Sequence, residues 1–180
     1  MPTIWTLGHS TLEWPMFLSM LHGAGLQAVA DVRRFAASRR HPQYNGGPMA
    51  QALRDAGIDY VAMPDLGSRR EPRADSPHTA LKTPGFRGYA DHMDTAVFAR
   101  AFERLAAIAR DRPTAMMCAE ADWRDCHRSF ISDAFKSKGW RVIHLRSTGA
   151  QEEHPYTAVA RVIDGRLMYP KPADAQGSLF

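Results

Sequence analysis

A chain of 180 residues and 20.1 kDa, 44% hydrophobic and 23% charged, has the size and composition of one folded domain. That excludes a disordered chain, a collagen-like repeat and a disulfide scaffold. A net charge of +4 and a pI near 9.3 permit an anionic partner without requiring one. Two cysteines, no apolar run of ~18 residues and no basic-then-apolar start lead us to expect a reducing cytoplasm and no membrane partner.

Five short apolar runs read as strands: Ile4–Leu7, Ala28–Val32, Tyr60–Met63, Thr114–Cys118 and Arg141–Leu145. Most are continuous rather than alternating, as in strands covered on both faces. Helical patterns separate them. Ser10-Thr-Leu-Glu13 reads as a capping box that opens a helix carrying Trp14, Phe17, Leu18 and Leu21 and ending near Gly23. Gly47-Pro48 opens a second helix, which ends at Gly57. A third spans about 94–110 with Phe98, Phe102, Leu105 and Ile108 at helical spacing, and a fourth about 127–138 with Phe130, Ile131 and Phe135.

The alternation predicts one α/β domain in three layers, residues 1–180, with a mostly parallel sheet and a core over 3–148. Residues 66–92, rich in Pro, Gly and charge, are expected to be a long loop serving as a lid, a binding loop or a disordered segment. The remainder, 151–180, is read as a hairpin turning at Asp164-Gly165 at one edge of the domain, followed by a tail.

In an open parallel sheet, ligands bind beyond the carboxyl ends of the strands. The predicted strands deliver Gly8-His9-Ser10, Asp31 with Arg33 and Arg34, Asp65, Cys118-Ala-Glu120, and His144 with Arg146 to that edge. The sharpest segment, Cys118 to Arg128, joins a strand to a helix start, where free N–H groups favour anions and lower thiol pKa values. Glu120 is read as a general acid or base, with His9 or His127 assisting. Arg33, Arg39 and Arg128, with Ser10, are read as anion ligands. Asp31 is either a base or the anchor of Arg33 or Arg39, the second preferred. Cys118 and Cys126 stay open between nucleophile, ligand and packing.

Several pieces occur together in order: Leu7-Gly-His-Ser10, Asp31-Val-Arg33, Ser38-Arg39, Gly57-Ile-Asp-Tyr60, Leu66-Gly67, Gly88-Tyr-Ala90, Cys118-Ala-Glu120 and Cys126-His-Arg128. This ordered set resembles the domain-of-unknown-function 488 family over roughly residues 3–146. The resemblance implies an α/β domain with clustered motif residues, and no assigned reaction. Ser68-Arg69-Arg70 follows Leu66-Gly67 where relatives often carry a second glycine.

Other patterns weigh less. Cys118-x5-Arg124 has phosphatase-loop spacing, but Glu120 and Asp122 repel phosphate and the loop holds no glycine. Zinc on Cys118, Cys126, His127 and His9 departs from paired-ligand spacing, so no metal ligand is assigned. Gly23-x-Gly25-x-x-Ala28 follows a helix, the wrong context for a dinucleotide. Trp123 is either a ring-stacking group or a hydrophobic plug. Arg33–His41 holds four arginines and is either an anion-binding loop or a solvated one.

The expected function is enzymatic action on a phosphate-bearing or other anionic substrate, nucleotide or nucleic acid foremost. A non-catalytic nucleic-acid-binding module and a thiol- or metal-dependent enzyme are the alternatives. Cofactor and oligomeric state are not legible.

Overall fold

The computed structural model describes residues 1–172, so the end of the expected tail, 173–180, lies outside the described residues. The elements in chain order are β1 (Thr3–Gly8), α1 (Trp14–Gly23), β2 (Ala28–Asp31), α2 (Gly46–Asp55), β3 (Asp59–Ala62), α3 (Pro84–Met93), α4 (Ala96–Asp111), β4 (Thr114–Cys118), α5 (Arg128–Ser137), β5 (Arg141–Leu145), β6 (Gln151–Glu153), β7 (Arg161–Ile163) and β8 (Arg166–Met168). Six strands form one sheet in the order β3-β2-β4-β1-β5-β6. The first five run parallel and β6 pairs antiparallel with β5.

Two apolar clusters make the expected three layers. Leu7, Val29, Ala115, Met117 and Ile143 meet Phe17 and Leu21 of α1 and Met49 and Leu53 of α2 on one face. Ile4, Ala30, Met116 and Val142 meet Tyr89, Phe98, Phe102, Phe130 and Phe135 of α3, α4 and α5 on the other. Alternate residues of the central strands feed opposite clusters, so a buried strand reads as a continuous apolar run. Among the described residues, no helix is long and apolar enough to cross a membrane.

Two local readings change, and one strand was not expected. The helix expected from Ser10 begins at Trp14, with Glu13 at its N-cap and no capping side chain. Pro15 is the cause: it lacks an N–H and fits only the first turn. Ser10 instead turns the chain with a positive φ of 45°. The expected loop 66–92 ends in helix α3, which opens with Thr83 at the N-cap and Pro84 behind it. The hairpin turns at Asp164-Gly165, both with positive φ. It forms its own two-stranded sheet, while β6 takes the edge of the main sheet. The hairpin region covers the α5 side through Ala160, Leu167 and Tyr169.

The remaining loop, 67–83, is pinned rather than loose. Asp91 accepts from the Arg73 amide and the Ser76 hydroxyl, and Arg87 donates twice to the Leu81 carbonyl. His78 bonds Asp94 through one ring nitrogen and the Tyr169 amide through the other. Gly88 allows this docking, because a Cβ there would overlap the Arg70 carbonyl. Replacing Gly88→Ala is expected to cost about 1–3 kcal/mol in urea unfolding and to open 67–83 to proteolysis. Unchanged stability and cleavage would show that the close approach is not needed.

Candidate functional site

The order β2-β4-β1 makes three carboxyl ends neighbours, and backbone pairing continues past them. His9 N–H donates to the Cys118 carbonyl (2.9 Å), Ser10 N–H to Ala119 (2.8 Å) and Val32 N–H to Met117 (3.0 Å). The three following loops are thereby fixed side by side. They enclose a cleft of about 370 Å³ lined by His9, Ser10, Arg33, Cys118, Glu120 and His127. The same lining includes Arg34, Phe35, Ser38, His41, Ser68 and Arg69. Six sequence-predicted residues therefore meet in one place.

Arg39 is exposed and does not line the cleft. Arg128 is only 1% exposed and lies beneath the cleft. Its Nε donates to Cys118 Sγ (2.9 Å), Nη1 to Thr6 Oγ1 (3.0 Å) and Nη2 to the Glu120 carbonyl (2.5 Å). Arg33 is clamped by Asp31, with Nε to Oδ1 at 2.8 Å and Nη2 to Oδ2 at 2.6 Å. Tyr60 OH also donates to Asp31 (2.7 Å). Asp31 thus anchors Arg33 and is saturated by it, which leaves little of either charge for a ligand.

His9 stacks on Tyr44 with ring centroids 4.1 Å apart. Arg33 can only donate, so His9 Nε2 accepts from it (3.3 Å) and Nδ1–H donates to the Ser10 carbonyl (3.0 Å). Burial, with the Arg33 charge adding to it, lowers the His9 pKa to about 4. The imidazole is therefore neutral near pH 7 and both its nitrogens are engaged.

At the floor, Cys118 Sγ lies 2.6 Å from Cys126 Sγ and 3.1 Å from Glu120 Oε2. Both sulfurs are free thiols and buried. His127 Nε2–H donates to the Val32 carbonyl (2.8 Å), and its Nδ1 faces Cys126 Sγ at 3.6 Å. Burial pushes the Cys118 thiol up, and the adjoining negative groups Cys126 and Glu120 reinforce that. Burial also opposes a Cys126 thiolate, but hydrogen bonds from Cys118 and His127 and the Arg128 charge outweigh it, and its pKa is lowered. His127 is raised against its own burial by the bond to Cys126. The two sulfurs are thus shifted in opposite directions, and Cys126 is the readier of the two to lose its proton.

Sulfurs of Cys118 and Cys126 and a Glu120 oxygen lie mutually within 4.8 Å, a spacing open to a metal. The two expected histidines are not grouped with them: His9 turns its ring nitrogens to Arg33 and the Ser10 carbonyl, and His127 gives Nε2–H to the Val32 carbonyl. Trp123 is a plug, stacked on His144 at 4.5 Å and outside the cleft.

Sequence reasoning named the Arg33–His41 loop but not the pairing of Phe35 with Arg69 at the mouth of the cleft. Phe35 is 61% exposed. The Arg34 and Arg69 guanidinium carbons stand 5.6 and 5.7 Å from its ring centroid. The signal was present in Arg34-Phe35, but Arg69 arrives from a distant loop.

Fold and site together define a three-layer α/β protein with a thiol-floored, arginine-rimmed cleft at the carboxyl edge of a parallel sheet. The family model described as Domain of unknown function DUF488 matches residues 13–135. The chain belongs to that family. The matched span carries Asp31, Arg33, Cys118, Glu120 and Cys126 to Arg128, and leaves His9 and Ser10 outside it. No curated protein and no solved structure matches the chain.

The buried imidazoles set a pH dependence. His144 is lowered to about 2 by burial, then by His154 and Arg128, and His9 to about 4. Unfolded, both titrate near 6.5. Below pH 6.5 the unfolded chain binds more protons than the fold, so stability falls as pH falls, for His9 down to about 4. The raised His127 acts only above 6.5. Thermal midpoints are expected to drop between pH 6.5 and 5, with a shallower slope in His144→Gln. An unchanged slope in that variant would remove His144 from the account.

Proposed function

We propose that the cleft binds an anionic substrate carrying a planar ring, a nucleotide or a nucleic-acid segment, and catalyses a hydrolytic or group-transfer step on it. The observation that carries this reading is Phe35, exposed between two guanidinium groups at the mouth of a cleft that ends at Glu120. An exposed aromatic face flanked by arginines suits a stacked base with its phosphate. Anion holding falls to Arg34 and Arg69, because Asp31 neutralises Arg33 and Arg128 is enclosed.

Glu120 is the group for proton transfer. It is exposed to the cleft, and the Cys118 sulfhydryl donates to Oε2, which orients the carboxylate. Neutral His9 walls the site and supplies no charge of its own. A reducing cytoplasm is the compartment we assign, one that keeps both sulfurs as thiols.

Binding of nucleoside phosphates and a short single-stranded oligonucleotide, read by fluorescence at low salt, tests the reading. Phe35→Ala is expected to weaken binding about 5- to 150-fold, the span of one stacked base. Arg34→Ala and Arg69→Ala should each flatten the salt dependence. Glu120→Gln should retain binding and lose turnover across a phosphoester and nucleoside panel. Wild-type protein that binds none of these, or a Phe35→Ala variant that binds equally well, would overturn it.

A further inference from the structure

We propose that Cys118 and Cys126 are a redox-active dithiol, closed to an intramolecular disulfide by a small hydroperoxide that enters through the cleft. The couple is independent of what the cleft binds.

Proximity is the first argument. The sulfurs are 2.6 Å apart, whereas two thiolates on a tetrahedral zinc at about 2.3 Å each stand roughly 3.8 Å apart. The spacing favours S–S bond formation over a shared metal. Rigidity is the second. Cys118 ends the buried strand β4, Cys126 stands two residues before α5, and the Arg128 amide points at its sulfur (3.5 Å). Neither sulfur needs a backbone movement to meet the other.

Polarity divides the roles. Cys118 lines the cleft and Cys126 does not. Cys118 is therefore the sulfur that meets a hydroperoxide, and a small one, because the side chain is 1% exposed. Its proton passes to Glu120 Oε2, 3.1 Å away, and Arg128 Nε at 2.9 Å holds the resulting negative sulfur. That sulfur attacks one peroxide oxygen and the O–O bond breaks. Cys118 becomes a sulfenic acid, and the departing hydroxide takes the proton back from Glu120 as water. His127 Nδ1 takes the Cys126 proton, and the thiolate so formed attacks Cys118 Sγ and breaks the S–O bond. The second hydroxide takes a proton from His127, whose Nδ1 faces Cys126. Two thiols and one hydrogen peroxide thus yield one disulfide and two waters. Reduction by an external dithiol restores the pair.

The test treats the full chain with hydrogen peroxide and maps its peptides. The expected product is a linked Cys118–Cys126 peptide lighter by two hydrogens, formed within one chain and reversed by dithiothreitol. Cys126→Ser should stop at the sulfenic acid, trapped by dimedone on Cys118. Cys118→Ser should react far more slowly, since Cys126 has no face on the cleft. Wild-type protein that keeps both free thiols while an unfolded control oxidises would overturn the proposal, as would cross-links only between chains. Should a serine variant fail to fold, the wild-type map decides alone. Oxidation that proceeds in a Phe35→Ala protein unable to bind nucleotide separates this proposal from the substrate reading.

Discussion

A guanidinium sealed inside the α/β core sets the terms for the rest of this molecule. Arg128 is almost wholly buried, and a charge taken from water is costed in several kcal/mol unless every donor finds an acceptor. The partners come from separate parts of the chain: Thr6 of β1, Cys118 at the end of β4 and the carbonyls of Glu120 and Ala121. One cation thereby ties β1, β4 and the cleft floor to the start of α5. Gly8 is part of the same arrangement. A Cβ at that position would collide with the Glu120 carbonyl that Arg128 holds. The Leu7-Gly-His-Ser10 and Cys126-His-Arg128 pieces, far apart in sequence, are two sides of one contact.

The charge is compensated at a distance as well as locally. Thr6 Oγ1 accepts from Arg128, so its hydroxyl is free to donate to His144 Nδ1 (2.9 Å). His144 Nε2 is hydrogen-bonded to His154 Nδ1 (2.9 Å), and His154 Nε2–H donates to Asp133 Oδ1 (2.9 Å). Asp133, fully buried, also accepts from Thr157 and Tyr169. The bonds run unbroken from Arg128 to Asp133. Burial, with His154 and Arg128 adding to it, holds the His144 pKa low. A buried cation and a buried carboxylate are joined through Thr6, His144 and His154 rather than by direct contact, and a fully bonded network of this kind favours a single packing arrangement. The β7–β8 hairpin region completes it through Tyr169.

The fold was largely legible because its signals are local. Five apolar runs and the 3.6-residue spacing of Phe98, Phe102 and Leu105 survive in any context. What escaped was short or masked. β6 is three polar residues, Gln151–Glu153, whose strand character comes from pairing with β5. α3 was hidden under a loop-like composition, although Thr83-Pro84 and the spacing of Phe86, Tyr89, Ala90 and Met93 marked it. At the site, strand ends named His9, Cys118 and Glu120 as neighbours, because parallel direction alone decides that. Side-chain commitment is not encoded so simply. Asp31 named Arg33 or Arg39 as its partner without deciding between them, and nothing local shows that Arg34 stays open to solvent. Nor does it show that Arg128 turns inward while Arg69 crosses from another loop.

Charge placement relates the two levels of the cleft. At the floor, Cys126 is the sulfur whose pKa is lowered, by Cys118, His127 and Arg128, below the Glu120 carboxylate. The mouth offers Arg34 and Arg69 without a carboxylate partner among the described residues. An anion held at the mouth and a thiolate formed at the floor repel each other across the cleft. Free-energy coupling between two sites is reciprocal. On the substrate and redox readings above, an occupied mouth therefore disfavours the thiolate, and a disulfide at the floor removes the charge that opposes the anion. The same disulfide also takes the S–H donor from Glu120 Oε2. Binding at the mouth and proton transfer at the floor then respond to oxidation in opposite senses, because the first depends on net charge and the second on one oriented hydrogen bond.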